Sequence, residues 1–158
     1  MNVSIIKTAE KLKSDRKKIA EIFSGFSEIQ LNHGLYSSEF DDWRVRDVLA
    51  HFIFAEKGFL IIFNEIVQGG EGSPVGFDID LYNQRMMREY KNQDIQSLIN
   101  DFTETRTSTL EFIESLNHED LKKVGRHPAL GMTTLAEMLK MIYLHNQLHL
   151  RDVKKILE

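Results

Sequence analysis

Thr134-Leu135-Ala136-Glu137-Met138-Leu139-Lys140-Met141-Ile142-Tyr143-Leu144-His145-Asn146-Gln147-Leu148-His149-Leu150-Arg151-Asp152-Val153-Lys154-Lys155-Ile156-Leu157 is an unbroken helical pattern. Leu135, Met138, Leu139, Ile142, Leu150, Val153 and Ile156 fall on one face at helix spacing, and Thr134 followed by Glu137 is a capping-box start. His145 and His149 are four residues apart, so their imidazoles are neighbours on a face that also carries Ile142 and Asp152.

Working outward, three more segments carry the same period. Ile5, Leu12, Ile19, Phe23 and Phe26 predict a first helix from Ser4 to Leu31, ending near Asn32-His33-Gly34. Asp41 or Asp42 can cap a second helix that begins at Trp43 and runs through Val48, Phe52, Phe59 and Phe63 to Val67. Gly69, Gly70, Gly72, Pro74 and Gly76 then form a connection; without Gly-Lys-Ser/Thr or a strand-to-helix pattern they are no phosphate loop. A short helix over Leu81 to Tyr90 precedes a third long one, capped or interrupted at Asn92 to Asp94, with Ile95, Leu98, Ile99, Phe102, Leu110, Ile113 and Leu116 as its stripe. The stretch from Asn117 to Met132 is expected to be a connection with at most one short turn. Four helical patterns and no persuasive strand predict an all-α helix bundle.

The chain has 158 residues, 42% of them hydrophobic, which suits one domain over residues 1–158 with a real core. There is no cysteine, so disulfides, thiolate metal sites and a Cys nucleophile are excluded; a metal site would need His, carboxylate and water. The start, Met1 to Lys7, lacks the apolar run of a signal peptide, and polar residues interrupt every apolar stretch before membrane-spanning length. A cytoplasmic protein with no membrane partner is therefore expected. Net charge is -4 with both signs scattered, which argues against a nucleic-acid surface. The cluster from Lys7 to Lys18 is the wet side of the first helix.

Imidazole is a good ligand for Zn, Ni, Fe or Cu. His51 lies among Val48, Phe52, Ala55 and Phe59, where a bundle can set it opposite His145 and His149. Three such ligands leave a position open, as catalytic sites do. From residue chemistry alone a packed histidine pair, hydrogen-bonded to Asn or backbone, is an equal reading. Asp47 and Asp152 are candidates to orient imidazoles, and Glu56 could face the cavity rim, although helix-dipole contacts or solvent exposure explain these carboxylates as simply. No general base is assigned. Tyr143 and Trp43 are expected to pack, and Arg46 to reach solvent or a carboxylate. Asn146 does not share the direction of His145. Arg85, Arg88, Arg106 and Arg126 are weak candidates for attracting an anion. His33 and His118 fall at helix ends, and His127 in a loop that can approach the open end of the bundle. Met86, Met87, Met132, Met138 and Met141 are expected to fill packing space.

The segment Trp43-Arg44-Val45-Arg46-Asp47-Val48-Leu49-Ala50-His51 resembles the second-helix signature of the DinB-like, DNA-damage-inducible four-helix family, which includes YfiT-like proteins. His145-x-x-x-His149 stands where that family has its late histidine pair, and the likeness spans Leu12 to Val153. The resemblance implies a DinB-like four-helix bundle with a long crossover between helices two and three, which Gly69 to Asp80 suits. It implies a divalent metal (Zn, Ni or Fe) on His51, His145 and His149, a small-molecule substrate and a homodimer. Its chemistry is expected to be S-transfer from a low-molecular-weight thiol activated at the metal. The alternatives are a metal-dependent hydrolase or a non-catalytic, metal-stabilised binding or structural protein.

Overall fold

Ile5, Leu12, Ile19 and Phe23 are buried, and the stripe they make is the inner face of α1 (Val3–Gly25). Three further stripes do the same on α3 (Val45–Val67), α5 (Ile95–Ser115) and α7 (Leu135–Leu157). In this computed structural model, which describes residues 3–39 and 41–158, α1 and α3 each pack against both α5 and α7. Met1 and Asn2, part of the leader reading, lie outside the described residues.

Two core clusters fix the helix directions. One joins Ile19 and Phe23 of α1, Val48 and Leu49 of α3, Leu98 and Phe102 of α5, and Leu150 and Val153 of α7. The other joins Ile5 and Leu12, Phe63 and Ile66, Ile113, and Leu135 and Leu139. The starts of α3 and α5 therefore share one end of the bundle. The chain between them must return along its whole length, through a loop and α4 (Ile79–Tyr90). That is the long crossover expected between the second and third long helices.

Several boundaries differ from the expected ones. The first helix stops at Gly25, and a separate turn, α2 (Glu28–Leu31), is started by a capping box in which Ser27 accepts from the Gln30 N–H and Gln30 accepts from the Ser27 N–H. Neither Asp41 nor Asp42 caps the second long helix. A hairpin, β1 (Gly34–Ser37) with β2 (Asp42–Arg44), takes in Trp43, and α3 starts at Val45 with Asp47 reaching back to the Arg44 N–H at 2.8 Å. The stretch expected to be a plain connection holds α6 (His118–Lys122) and a second hairpin, β3 (Val124–His127) with β4 (Gly131–Thr134). Among the described residues these two-stranded pairs are the named strands. They form because each segment has one neighbour to pair with at a helix end, too short a run to show period-2 patterning. Asp94 caps α5 and Thr134 caps α7, as expected. Met132, expected to fill packing space, is exposed.

The crossover is pinned to β3. Gly72 has φ +91, and a Cβ there would lie 2.6 Å from the Arg126 carbonyl oxygen, so only glycine allows this approach. Around it Ser73 N donates to Arg126 O at 2.8 Å and Arg126 N to Glu71 O at 2.7 Å. Further along, Tyr82 of α4 lies against Gly58 and donates to the Phe54 carbonyl at 3.0 Å.

Among the described residues, one ion pair is buried on both sides inside the bundle. Glu56 of α3, expected at a rim or in solvent, is 2% exposed and binds Arg106 of α5 through both oxygens, at 2.7 and 3.0 Å. Thr109 donates to the same carboxylate at 2.7 Å, and Arg106 also donates to the Leu12 carbonyl at 3.0 Å. Each guanidinium nitrogen and both carboxylate oxygens thus have a partner, the condition under which buried charges are tolerated. Glu56→Ala leaves the guanidinium buried without its counter-charge, and urea denaturation is expected to show a loss of about 3–5 kcal/mol. A Glu56→Leu/Arg106→Met double variant should recover most of it; a single-variant loss under about 1 kcal/mol would contradict this account.

Candidate metal centre

His51 sits two turns into α3, and His145 and His149 lie around the middle of α7. Because α3 and α7 run antiparallel and in contact, the three rings meet between the two core clusters. His51 Nε2 lies 2.9 Å from His145 Nε2, and His149 Nε2 lies 3.2 Å from the same atom. The donor atoms of all three fall within 4.8 Å of one another. Two nitrogens on one tetrahedral ion at Zn–N of about 2.0–2.1 Å stand about 3.3 Å apart, so the cluster has the spacing to coordinate a divalent metal ion.

The rings are also in the charge state that a metal needs. Burial holds the His51 pKa well below 6.5, with repulsion from His145 and His149 adding to it. Burial, then the neighbouring His149, brings His145 down to about 4, with Asn146 opposing the shift. His149 is lowered by burial too, opposed by the charge of Asp152. At neutral pH all three present lone pairs.

His149 has a fixed tautomer. The Tyr36 hydroxyl donates to Asp152 at 2.6 Å and stands 2.9 Å from His149 Nδ1. With its proton committed to the carboxylate, the phenol oxygen accepts from Nδ1–H, which leaves Nε2 free for the cluster. Asp152 thus supports the ring through Tyr36. Nothing near position 36 in the sequence marks that tyrosine, which comes from the unanticipated first hairpin. His51 has no such support: its Nδ1 is buried without a partner among the described residues, and the ring is held between Trp43 and Phe54, at centroid distances of 4.8 and 5.1 Å.

Other candidates fall elsewhere. Asp47 binds the Arg44 guanidinium, at 2.9 Å to Nε, and does not orient a histidine. Asn146 is buried, and its Nδ2 has no partner among the described residues. Tyr143 lies under Lys11, 5.2 Å from ring to Nζ. Arg46 donates to the Gln93 carbonyl. Arg85 and Arg88 are exposed, Arg106 is in the core and Arg126 holds the Ser73 carbonyl. His33 and His118 are exposed at helix ends, His33 just after α2 and His118 as the first residue of α6.

The cluster opens on a cavity of about 620 Å³. α3 contributes Phe59 and Ile62, the crossover Pro74, Phe77 and Tyr82, and β2 Trp43. His127 lines it as well, buried and stacked on Phe59 at 5.1 Å. Among the described residues that line it there is no Lys or Arg, and Glu65 is the one charged side chain.

The sequence matches the DinB superfamily over residues 11–153. Among solved structures, it is similar to YfiT from Bacillus subtilis, described as a probable metal-dependent hydrolase with an unusual four-helix bundle topology (17% identity, TM-score 0.77, covering 98% of this chain and 87% of YfiT). It is also similar to the mycothiol-dependent maleylpyruvate isomerase (13%, TM-score 0.74), covering 97% of this chain but only 63% of the isomerase. A third likeness is to the colibactin self-resistance protein ClbS, whose structure is a complex with double-stranded DNA (15%, TM-score 0.67, 96% and 95%). At these identities the likeness shows the shared fold. No curated protein sequence matches significantly.

The lowered imidazole pKa values set a pH dependence. Unfolded histidines take up protons below about 6.5, whereas His127 and His145 stay neutral in the folded protein down to about 4. The unfolded state therefore binds more protons between these values, so this stability is complete above pH 6.5 and is lost as pH falls toward 4. Thermal melts of chelator-treated protein should show the midpoint falling across that window; a midpoint independent of pH from 6.5 to 4.5 would contradict the burial of neutral rings.

Proposed function

The chain belongs to the DinB superfamily, and we propose that it is a metal-dependent hydrolase acting on a small, neutral, largely apolar molecule, with His51, His145 and His149 as the metal ligands. The observation that carries this reading is the opening of a neutral three-histidine cluster on an apolar cavity with no cationic residue among those that line it. A divalent ion in such a site supplies a Lewis-acid position that acidifies water near neutral pH. The likeness to YfiT supports the same class.

The chain's own residues have distinct parts. Tyr36 and Asp152 hold the His149 ring in one tautomer, so its Nε2 faces the cluster. Trp43, Phe59 and Phe77 offer faces and edges to a substrate body and keep bulk water from it. Glu56, Asp47 and Asp152 are each committed to an arginine or a tyrosine, so none of them is the general base of this proposal.

A second reading, transfer from a small thiol, draws on the fold shared with the mycothiol-dependent isomerase. It is the less favoured because the expected arginines stand outside the cavity, and a thiol with carboxylates would meet no counter-charge there. A homodimer, a cytoplasmic setting and a single domain over residues 1–158 belong to the same proposal. Among the described residues, no helix is long and apolar enough to cross a membrane. The formal charge of -4 supports a small-molecule substrate over nucleic acid.

The test is zinc affinity by chelator competition together with turnover of a neutral aryl ester. His145→Ala should lose nearly all bound metal with the helical content kept, and Tyr36→Phe should bind zinc about tenfold or more weakly. Ester hydrolysis should require the metal and be unchanged by added low-molecular-weight thiol. Full metal retention in His145→Ala would overturn the ligand assignment, and turnover that begins only with thiol would replace hydrolysis by transfer.

A further inference from the structure

His127 ends β3, at the turn leading to Gly131, and is 3% exposed. Its Nδ1 accepts two backbone N–H groups, from Ala129 at 3.0 Å and Leu130 at 3.1 Å. A ring nitrogen that accepts carries no proton, so the proton of the neutral imidazole is on Nε2. Burial keeps the ring neutral, with a pKa of about 4. Nε2 is itself buried and has no partner among the described residues.

Ser73 is the other such group in this wall. It is 1% exposed, lines the same cavity, and its Oγ is likewise without a partner. Their backbones are tied together by the pairing of the crossover on β3, since Ser73 N donates to the carbonyl of Arg126, the residue before His127. The wall also reaches the histidine cluster: Phe59 stacks on His127 and meets His145 edge-on at 6.3 Å. Buried polar groups are nearly always paired, and two unpaired groups on residues that line the cavity together with Phe59, Pro74 and Phe77 point to a ligand acceptor.

We propose that His127 Nε2–H and Ser73 Oγ–H form a hydrogen-bonding subsite for a carbonyl oxygen of a neutral, largely apolar substrate. The cavity supports a neutral ligand because no Lys or Arg lines it to balance an anion. The subsite rests on the reading of this cavity as the substrate site, but on neither the metal nor the reaction. In that role His127 reads a feature of the substrate that the apolar walls cannot, and an analogue without the oxygen leaves both donors unpaired.

The test compares acetophenone with ethylbenzene, similar in shape and differing in the carbonyl, by calorimetry on the purified full chain with and without chelator. Wild type should prefer acetophenone about tenfold with or without chelator, Ser73→Ala should lose part of that preference, and His127→Phe all of it. Because His127→Phe also removes the acceptor for the turn, nitrogen-detected NMR of wild type is the second readout. It should show His127 protonated on Nε2, with that signal moved by acetophenone and not by ethylbenzene. Equal affinity for the two probes, including no binding of either, overturns the subsite. So does a preference that survives both variants or vanishes with chelator, or a proton on Nδ1. Absence of metal or of hydrolysis, which would sink the proposed function, leaves these results unchanged.

Discussion

The rotation of α3 about its own axis is set by the buried contact between Glu56 and Arg106, and the site depends on that rotation. The carboxylate meets the guanidinium of α5, the hydroxyl of Thr109 and, through Arg106, the Leu12 carbonyl of α1. His51, five residues earlier, lies about 140° round the helix from Glu56. Fixing one against α5 and α1 turns the other toward α7. A pair of this kind adds little net stability compared with apolar packing, but a one-residue slip of α3 would strand two charges in the core. We take it as the device that holds the register, since α3 otherwise offers an almost uniformly apolar surface from Val48 to Ala55.

The parallel placement of α3 and α5 then dictates the cavity. Two parallel helices in sequence need a connection that travels the length of the bundle, and that connection has to lie on something. Here it lies across the side where His51, His145 and His149 converge, stitched to β3 at Gly72 and Ser73 and to α3 at Tyr82. Its apolar side chains form one wall, and the turn it pairs with brings His127 to the same space. The topology thus produces together a cluster of neutral imidazoles, a largely apolar cavity and a pair of unpartnered polar groups on residues of its wall.

The four long helices and the histidine pair were legible because both are local in sequence. Helix period needs only neighbours three and four apart, and His145 and His149 lie on one face whatever surrounds them. His51 was legible through its place on a strongly apolar helix and through the family resemblance. Partnerships between distant segments were not. Tyr36 and His149 are separated by most of the chain, and Glu56 pairs with Arg106, which the sequence offered only as a weak candidate for attracting an anion. The hairpins were missed because strands of three or four residues carry no period of their own. The break after Gly25 was missed although Ser27 and Gln30 spell a capping box, since Phe26 and Leu31 continue the apolar count past it.

In the proposed centre, three imidazole nitrogens brought together by an antiparallel pair of helices hold one metal ion and leave a position open to the cavity. X-ray absorption at the zinc edge of the reconstituted protein tests it most directly. The shell should hold three imidazole nitrogens at about 2.0–2.1 Å completed by one exchangeable oxygen ligand, and should lose one imidazole in His149→Ala. A shell made mainly of carboxylate and water oxygens, or one identical in wild type and His149→Ala, would contradict it.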